Sequence, residues 1–166
     1  MAESWRSLAD RDALRARAEV YRHIREFFFT RDVLEVDTPI LSAAGNSDPN
    51  IESFQLEFTG PAQGGSSRRW LRTSPEYPLK RLLACGIGDC YELGKVFRNG
   101  EYGKRHNPEF SMLEWYRVGD THHEQMDFVE GLVSAVLKAA RQLRGRPDHP
   151  PIPFERMRYD DAFEKH

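Results

Sequence analysis

Apolar residues recur at helical spacing from about Asp12 to Thr30, with Leu14, Ala18, Tyr21, Ile24 and Phe28 on one face. Asp10 stands where an N-cap belongs, so a first helix is predicted there. Phe27-Phe28-Phe29 closes it with more apolar surface than one core face needs. Two readings follow: a helix buried on two sides, or a contact with a second copy of the chain. Val33 to Val36 then reads as a short strand, and Pro39, which lacks a ladder donor, belongs at a sheet edge or strand end. Ile51 to Phe58 alternates, placing Phe54, Leu56 and Phe58 on one face of a half-buried strand. Trp70 to Arg72 is expected to return beside it. The Gly- and Ser-rich stretch from Gly60 to Arg69 reads as a flexible hairpin tip or loop.

Ser74-Pro75-Glu76 carries the signals of a helix start, with Ser74 at the N-cap and Pro75 at the first helical position. Leu79, Leu82 and Leu83 form its apolar face, and Gly86 and Gly88 end it. Tyr91 to Arg98 and Phe110 to Tyr116 read as two strands of a hairpin. A last long helix begins at Thr121, which makes a capping box with Glu124. Met126, Val129, Val133, Val136, Ala140 and Leu143 follow at spacings of three and four. Lys138, Arg141 and Arg144 complement the helix dipole, and Gly145 and Pro147 stop it. Pro147 to Pro153 reads as extended, and Tyr159 to His166 as the start of another element. Strands and helices interleave without strict βαβ alternation, and the clearest strand pair is a hairpin. The expected class is therefore α+β, an antiparallel sheet flanked by helices.

Composition narrows the function classes. The 166 residues suffice for one domain, and 39% hydrophobic with 30% charged residues suits a soluble globular protein. No apolar run approaches a membrane span, and the first twelve residues lack the apolar core of a signal peptide. A net charge of −2 gives no global pull toward nucleic acid, so any anion site must be local. Cys85 and Cys90 are too few for a disulfide framework or a metal set, and are read as reduced thiols in a cytoplasmic protein. His122-His123 is the only histidine pair. As sequence neighbours on a helix the two point to different faces, so a solvated helix start is expected there rather than a metal site.

The hairpin carries the candidate chemistry. A tight loop holds about two to five residues, and Asn99 to Asn107 exceeds that. It bears Lys104, Arg105 and His106, with Arg98 at its base, so it suits a phosphate group as well as a solvated turn. On the second strand, Phe110, Met112, Glu114 and Tyr116 share a face by period-two alternation. A carboxylate in that company needs a partner: an internal Lys80 or Arg81, or a ligand's ammonium group. Phe110 and Glu114 lie roughly 13 Å apart along a strand, which suits a ligand with a ring at one end and an ammonium at the other. Glu76 sits in a first helical turn, where the dipole favours an acid in any case.

These residues resemble a known family. The stretch from Phe97-Arg98-Asn99 through His106-Asn107-Pro108-Glu109-Phe110 to Glu114-Trp115-Tyr116 resembles motif 2 (about residues 90–117) of class II aminoacyl-tRNA synthetases in its lysine-type form. Residues 24–41, with Val33-Leu34-Glu35-Val36-Asp37-Thr38-Pro39, resemble motif 1, whose proline lies at a homodimer interface. Thr73 to Leu83 resembles the segment that meets the amino-acid substrate. Within the lysine-type group the likeness is greatest to the ligases that attach (R)-β-lysine to a lysine of elongation factor P. Glu114-Trp115-Tyr116-Arg117 has their wording, and Met1 stands just ahead of the first helix, where lysyl-tRNA synthetases carry an anticodon-reading domain.

The resemblance implies roles. Arg98 would hold the α-phosphate of ATP and stabilise charge building there. Asn99, Gly100, Glu101, His106 and Asn107 would lie on the ATP side, with Phe110 stacked on adenine. Glu114 and Tyr116 would receive the substrate's side-chain ammonium. Ser74, Pro75 and Glu76 would meet its amino and carboxyl end, and Pro39 would lie at the dimer interface. ATP with Mg2+, lysine or (R)-β-lysine, elongation factor P and a second subunit are the implied cofactors and partners. Neither tRNA nor a membrane is expected among them. The chain departs from the family pattern twice. Gly100 stands where motif 2 commonly has an acid, with Glu101 next. Motif 3, which would bring the γ-phosphate arginine and the magnesium ligands, is absent from the sequence, so the 166-residue chain is expected to be an incomplete catalytic domain, inactive by itself.

Overall fold

The computed structural model describes residues 9–61, 67–144 and 153–165, the last four helical residues of the middle segment by backbone alone. The chain clusters into two compact units, Phe28–Gly119 and a second made of Met1–Phe27 with Asp120–His166.

Among the described residues the first unit holds six strands and one whole helix. Strands β1 (Leu34–Glu35), β5 (Cys90–Phe97) and β6 (Glu109–Tyr116) form one sheet in the order β1-β5-β6. Strands β2 (Leu41–Ser42), β3 (Gln55–Glu57) and β4 (Arg68–Leu71) form another in the order β2-β4-β3. The predicted hairpin is β5–β6, antiparallel from Cys90 opposite Tyr116 to Phe97 opposite Glu109. The α+β class holds, but the expected antiparallel sheet is mixed: β1 joins β5 in parallel, Leu34 opposite Cys90. A two-residue strand leaves almost no periodicity from which its direction can be read. The predicted half-buried strand at Ile51 to Phe58 is also shorter and more exposed than its alternation implied. All of β3 is exposed, Leu56 is 43% and Phe58 40% exposed, and the Arg69 guanidinium lies over the Phe58 ring, 5.4 Å from its centroid.

Helix α2 (Glu76–Ala84) follows β4 and buries Leu79 completely, a burial that contributes about 1.5–3 kcal/mol. Pro75 occupies the cap position, one residue later than predicted for the cap, and makes no side-chain cap bond. Ser74 still serves the helix start, because its Oγ accepts the Glu76 N–H at 3.0 Å. Gly86 and Gly88, at φ +80° and +82°, end the helix as the sequence predicts. The other face of the β5–β6 hairpin packs on Phe28, whose ring stacks on Tyr91 at 4.1 Å and lies 5.8 Å from Trp115.

In the second unit, α1 (Arg11–Phe29, its last two residues belonging to the first unit) starts with Asp10 Oδ1 accepting the Ala13 N–H at 2.7 Å. Ile24 and Phe27 are buried and Leu14 is exposed, so the helix buries only the later part of its predicted stripe. The three phenylalanines divide: Phe27 meets Phe128 edge-on at 5.1 Å, Phe28 goes to the hairpin, and Phe29 is 79% exposed. Helix α3 (His122–Arg144) has the predicted capping box, with the Thr121 N–H donating to Glu124 Oε2 at 2.6 Å and the Glu124 N–H returning to Thr121 Oγ1 at 3.5 Å. Its buried residues are Phe128, Leu132 and Ala139, whereas Met126 and Val129 are exposed. The helix is apolar on more than one face, and the large Phe128 ring decides which face turns inward. The His122 and His123 rings lie 4.0 Å apart, against each other rather than on separate faces. Helix α4 (Tyr159–Lys165) is the element foreseen at the end of the chain. The predicted hairpin tip at 62–66, the helix stop at Gly145 and Pro147, the extended stretch at 147–152 and the side chains of Arg141, Leu143 and Arg144 lie outside the described residues.

Candidate active site

The β5–β6 register sets the chemistry of one sheet face. Residues directly opposite each other share a face, so Glu92 lies beside Glu114, Gly94 beside Met112 and Val96 beside Phe110. Like charges so placed repel unless each has its own counterpart. Glu92 is 2% exposed, and its Oε1 lies 2.5 Å from Arg72 Nη2, an ionic contact rather than a directed hydrogen bond. Its Oε2 accepts the Thr38 hydroxyl at 2.6 Å and the Thr38 N–H at 3.3 Å. Glu114 is different. Its Oε1 accepts the Ser74 hydroxyl at 2.6 Å, and it has no ion-pair partner among the described residues. Neither Lys80 nor Arg81, the internal cations considered from sequence, neutralises it: Lys80 pairs with Glu76 instead.

Glu114, Ser74, Glu76, Arg81 and Arg98 line one cavity of about 780 Å³, within the size range of small-molecule sites. Pro39 lies on its wall too, exposed, and the loop from Ser42 to Ser53 supplies much of the remainder. That loop is held by Ser53 Oγ, which accepts the Asn46 N–H at 3.1 Å, and by a 2.8 Å hydrogen bond between Ser47 and Tyr77. Arg98 closes the other end. Its guanidinium lies 5.2 Å from the Phe110 ring centroid and Nη1 is 3.8 Å from Glu101 Oε1, while its buried Nε has no partner among the described residues. Gly100, at φ +78°, turns the chain so that Glu101 faces back to Arg98.

The remaining predicted residues are placed as follows. Asn99 is engaged internally: its N–H and Nδ2 donate to Glu52 O and Oε1 at 2.8 and 3.0 Å, and its Oδ1 accepts the Gly100 N–H at 3.0 Å. The loop predicted as long is organised. The Arg98 N–H donates to Pro108 O at 2.9 Å, and Gly103 pairs with His106 around a two-residue turn of Lys104 and Arg105. His106 and Asn107 are exposed on this arm and do not line the cavity, nor does Phe110. Pro75 is fully buried. Tyr116 lies at the far end of β6, where burial pushes its phenol above the ordinary tyrosine value. Lys80 opposes that shift, and Glu76 and Glu114 add to it. Glu76 in turn raises Lys80, first by hydrogen bonding and then by charge.

Sequence reasoning missed Glu92, Arg72, Thr38 and Gly94. The signal was present: period two puts Glu92 in line with Cys90, Gly94 and Val96, a carboxylate on an otherwise small or apolar face. The argument that singled out Glu114 applies to it equally. No group of three or more His, Cys, Asp or Glu among the described residues is arranged to hold a metal ion. None of the described helices is long and apolar enough to cross a membrane.

An antiparallel hairpin thus carries an arginine at its turn end and, at its base, a carboxylate with no ion-pair partner among the described residues, beside a short helix that follows a Ser-Pro-Glu turn. The profile of the family "tRNA synthetases class II (D, K and N)" matches residues 3–166, and the chain belongs to that family. It is 44% identical over 163 residues to the elongation factor P–(R)-beta-lysine ligase of Vibrio campbellii, covering 98% of this chain and 47% of the relative. Similar figures hold for the proteins of that name from Vibrio cholerae, 46% identical over 96% of this chain and 45% of the relative, and Actinobacillus succinogenes, 43% over 98% and 47%. The chain spans about half the length of the curated relatives it matches.

Proposed function

We propose that this sequence forms part of an ATP-dependent ligase that activates (R)-β-lysine, or lysine, as an aminoacyl-adenylate and transfers it to a lysine of elongation factor P. The observation that carries the proposal is Glu114: a half-buried carboxylate on a cavity wall, hydrogen-bonded to Ser74 and lacking a cation among the described residues. A substrate ammonium supplies the missing charge. The names of the relatives support the choice of substrate and acceptor.

In this reading the substrate carboxylate oxygen attacks the α-phosphorus of ATP. A P–O bond forms to that oxygen, the bond to the bridging α–β oxygen breaks, and pyrophosphate leaves. Arg98, on the cavity wall, stabilises the negative charge that accumulates at the α-phosphate. The acceptor amine then attacks the activated carbonyl, loses its proton and displaces AMP. Ser74 holds Glu114 in place, and Glu76, tethered by Lys80, keeps a second carboxylate on the same wall. Magnesium would accompany the ATP, with its protein ligands expected outside this sequence, and no step above is routed through it. The ATP-side roles of Asn99, Gly100, Glu101, His106, Asn107 and Phe110, contact of Pro75 and Tyr116 with the substrate, a homodimer meeting at Pro39, a cytoplasmic setting and inactivity of the 166-residue chain by itself belong to the same proposal.

The test is incubation of the intact gene product with ATP, (R)-β-lysine and purified elongation factor P, followed by mass spectrometry. The expected result is one lysine-type adduct on a single acceptor lysine. Aminoacylation of tRNA with unmodified elongation factor P would favour a lysyl-tRNA synthetase, and ATP binding with neither product a non-catalytic nucleotide-binding module.

A further inference from the structure

We propose that Arg72 is a positioning residue that, with Glu92 and Thr38, fixes the end of β5 so that Arg98 faces the cavity. The inference rests on the role proposed above for Arg98. Arg72 grips β5 at two points: its Nε donates to Lys95 O at 3.0 Å, and its carbonyl accepts the Phe97 N–H at 2.9 Å. Arg98 is the next residue. Arg72 also holds the segment between β1 and β2, with its N–H on Ile40 O at 3.0 Å and Nη1 on Thr38 O and Oγ1 at 3.1 and 2.8 Å. The strand end that presents Arg98 and the segment that borders the same cavity are thus fastened to one residue, by its backbone and its side chain together.

Arg72 borders the cavity but offers no free charge to it. Its side chain is 5% exposed, and three hydrogen bonds with the Glu92 ion pair engage all three guanidinium nitrogens. Gly94 leaves room for the pair: a Cβ there would lie 2.5 Å from Arg72 Nη2 and 2.9 Å from Glu92 Oε1. Stability alone does not account for such an arrangement, since a well-packed apolar pair of similar volume is often as stable or more so. What the ion pair adds is direction: each oxygen and nitrogen fixes a bond angle that an aliphatic side chain does not.

Thr38 gives the cleanest test, because its hydroxyl donates to Glu92 and accepts from Arg72, and valine replaces it with little change in shape. In the intact gene product, Thr38→Val is expected to stay folded and to keep the KM for the lysine-type substrate. It should lower kcat for ATP–pyrophosphate exchange by about tenfold, the scale of a sub-ångström misplacement of a catalytic group. Thr38→Ser, which restores the hydroxyl, should recover kcat. An unchanged kcat in Thr38→Val, or a loss that Thr38→Ser does not rescue, overturns the inference. If the wild-type protein shows no substrate-dependent exchange, the proposed function fails, and the positioning claim is judged by crystallography of Thr38→Val. It stands if the Phe97–Arg72 hydrogen bond opens and Arg98 moves off the Phe110 ring, and falls if both are unchanged.

Discussion

Replacing Glu92 by glutamine removes a charge but almost no volume, so the cost measures the electrostatics of the buried pair. Arg72 is 5% and Glu92 2% exposed, and water cannot take over when the carboxylate is neutralised. Breaking a buried pair from one side costs about 3–5 kcal/mol, because the remaining charge stays uncompensated. For a protein of this size, at about 3 °C per kcal/mol, the melting temperature should fall by about 9–15 °C. The Thr38 hydroxyl, which now donates to Glu92, also has to choose between the two ends of the amide. Urea titrations of wild type, Glu92→Gln, Arg72→Met and the double variant carrying both substitutions give the double-mutant cycle. Each single variant should lose several kcal/mol, and the double variant should lose much less than their sum. Single losses under about 1 kcal/mol, the scale of exposed pairs, or strict additivity would refute the reasoning.

Gly94→Ala should destabilise by about 1–3 kcal/mol through overpacking against Arg72 and Glu92, as read by urea midpoint. Ser74→Ala leaves Glu114 without its hydroxyl donor and should cost about 1–3 kcal/mol of stability, with a weaker grip on the ammonium substrate seen as a raised KM. Cys85 is exposed whereas Cys90 is buried with its thiol pushed up by burial, so a maleimide should label Cys85 alone in the native protein and both in urea. Lys80 and Tyr116 both titrate above their ordinary values, so the stability they contribute is complete below those values and is lost as pH rises through the raised ones. Lys80→Met removes the cation that lowers Tyr116, and should move the Tyr116 phenol higher still, measured by tyrosinate absorbance against Tyr116→Phe.

The β5–β6 hairpin was legible because its strands are long enough to alternate and its chemistry sits on one face, and the capping box of α3 because it is written in adjacent residues. What escaped was set by partners distant in sequence. β1 is two residues long, and its parallel pairing is decided 56 positions away at β5. The α3 face was misjudged because Phe128 and Val129 both lie on plausible stripes, and only the Phe27 ring shows which turns inward. The candidate site divides in the same way. Arg98, Ser74, Glu76 and Glu114 were read from their motifs and do line one cavity. The Arg72–Glu92–Thr38 set joins three segments, none of which carries a local signature of the others. The hydrogen bond from the Asn99 amide to Glu52, on a segment 47 residues away, has no local signature either.

The central claim is that the Glu114 carboxylate awaits a substrate's ammonium group across the cavity from Arg98. The most direct measurement is ATP–pyrophosphate exchange by the intact gene product, wild type and Glu114→Gln, with (R)-β-lysine, lysine and norleucine, which has the carbons of the lysine side chain without its terminal ammonium. Exchange should require an ammonium-bearing substrate in the wild type, and Glu114→Gln should abolish that dependence together with most of the rate. Exchange that proceeds equally with norleucine, or that survives Glu114→Gln at the wild-type KM for lysine, would contradict the account.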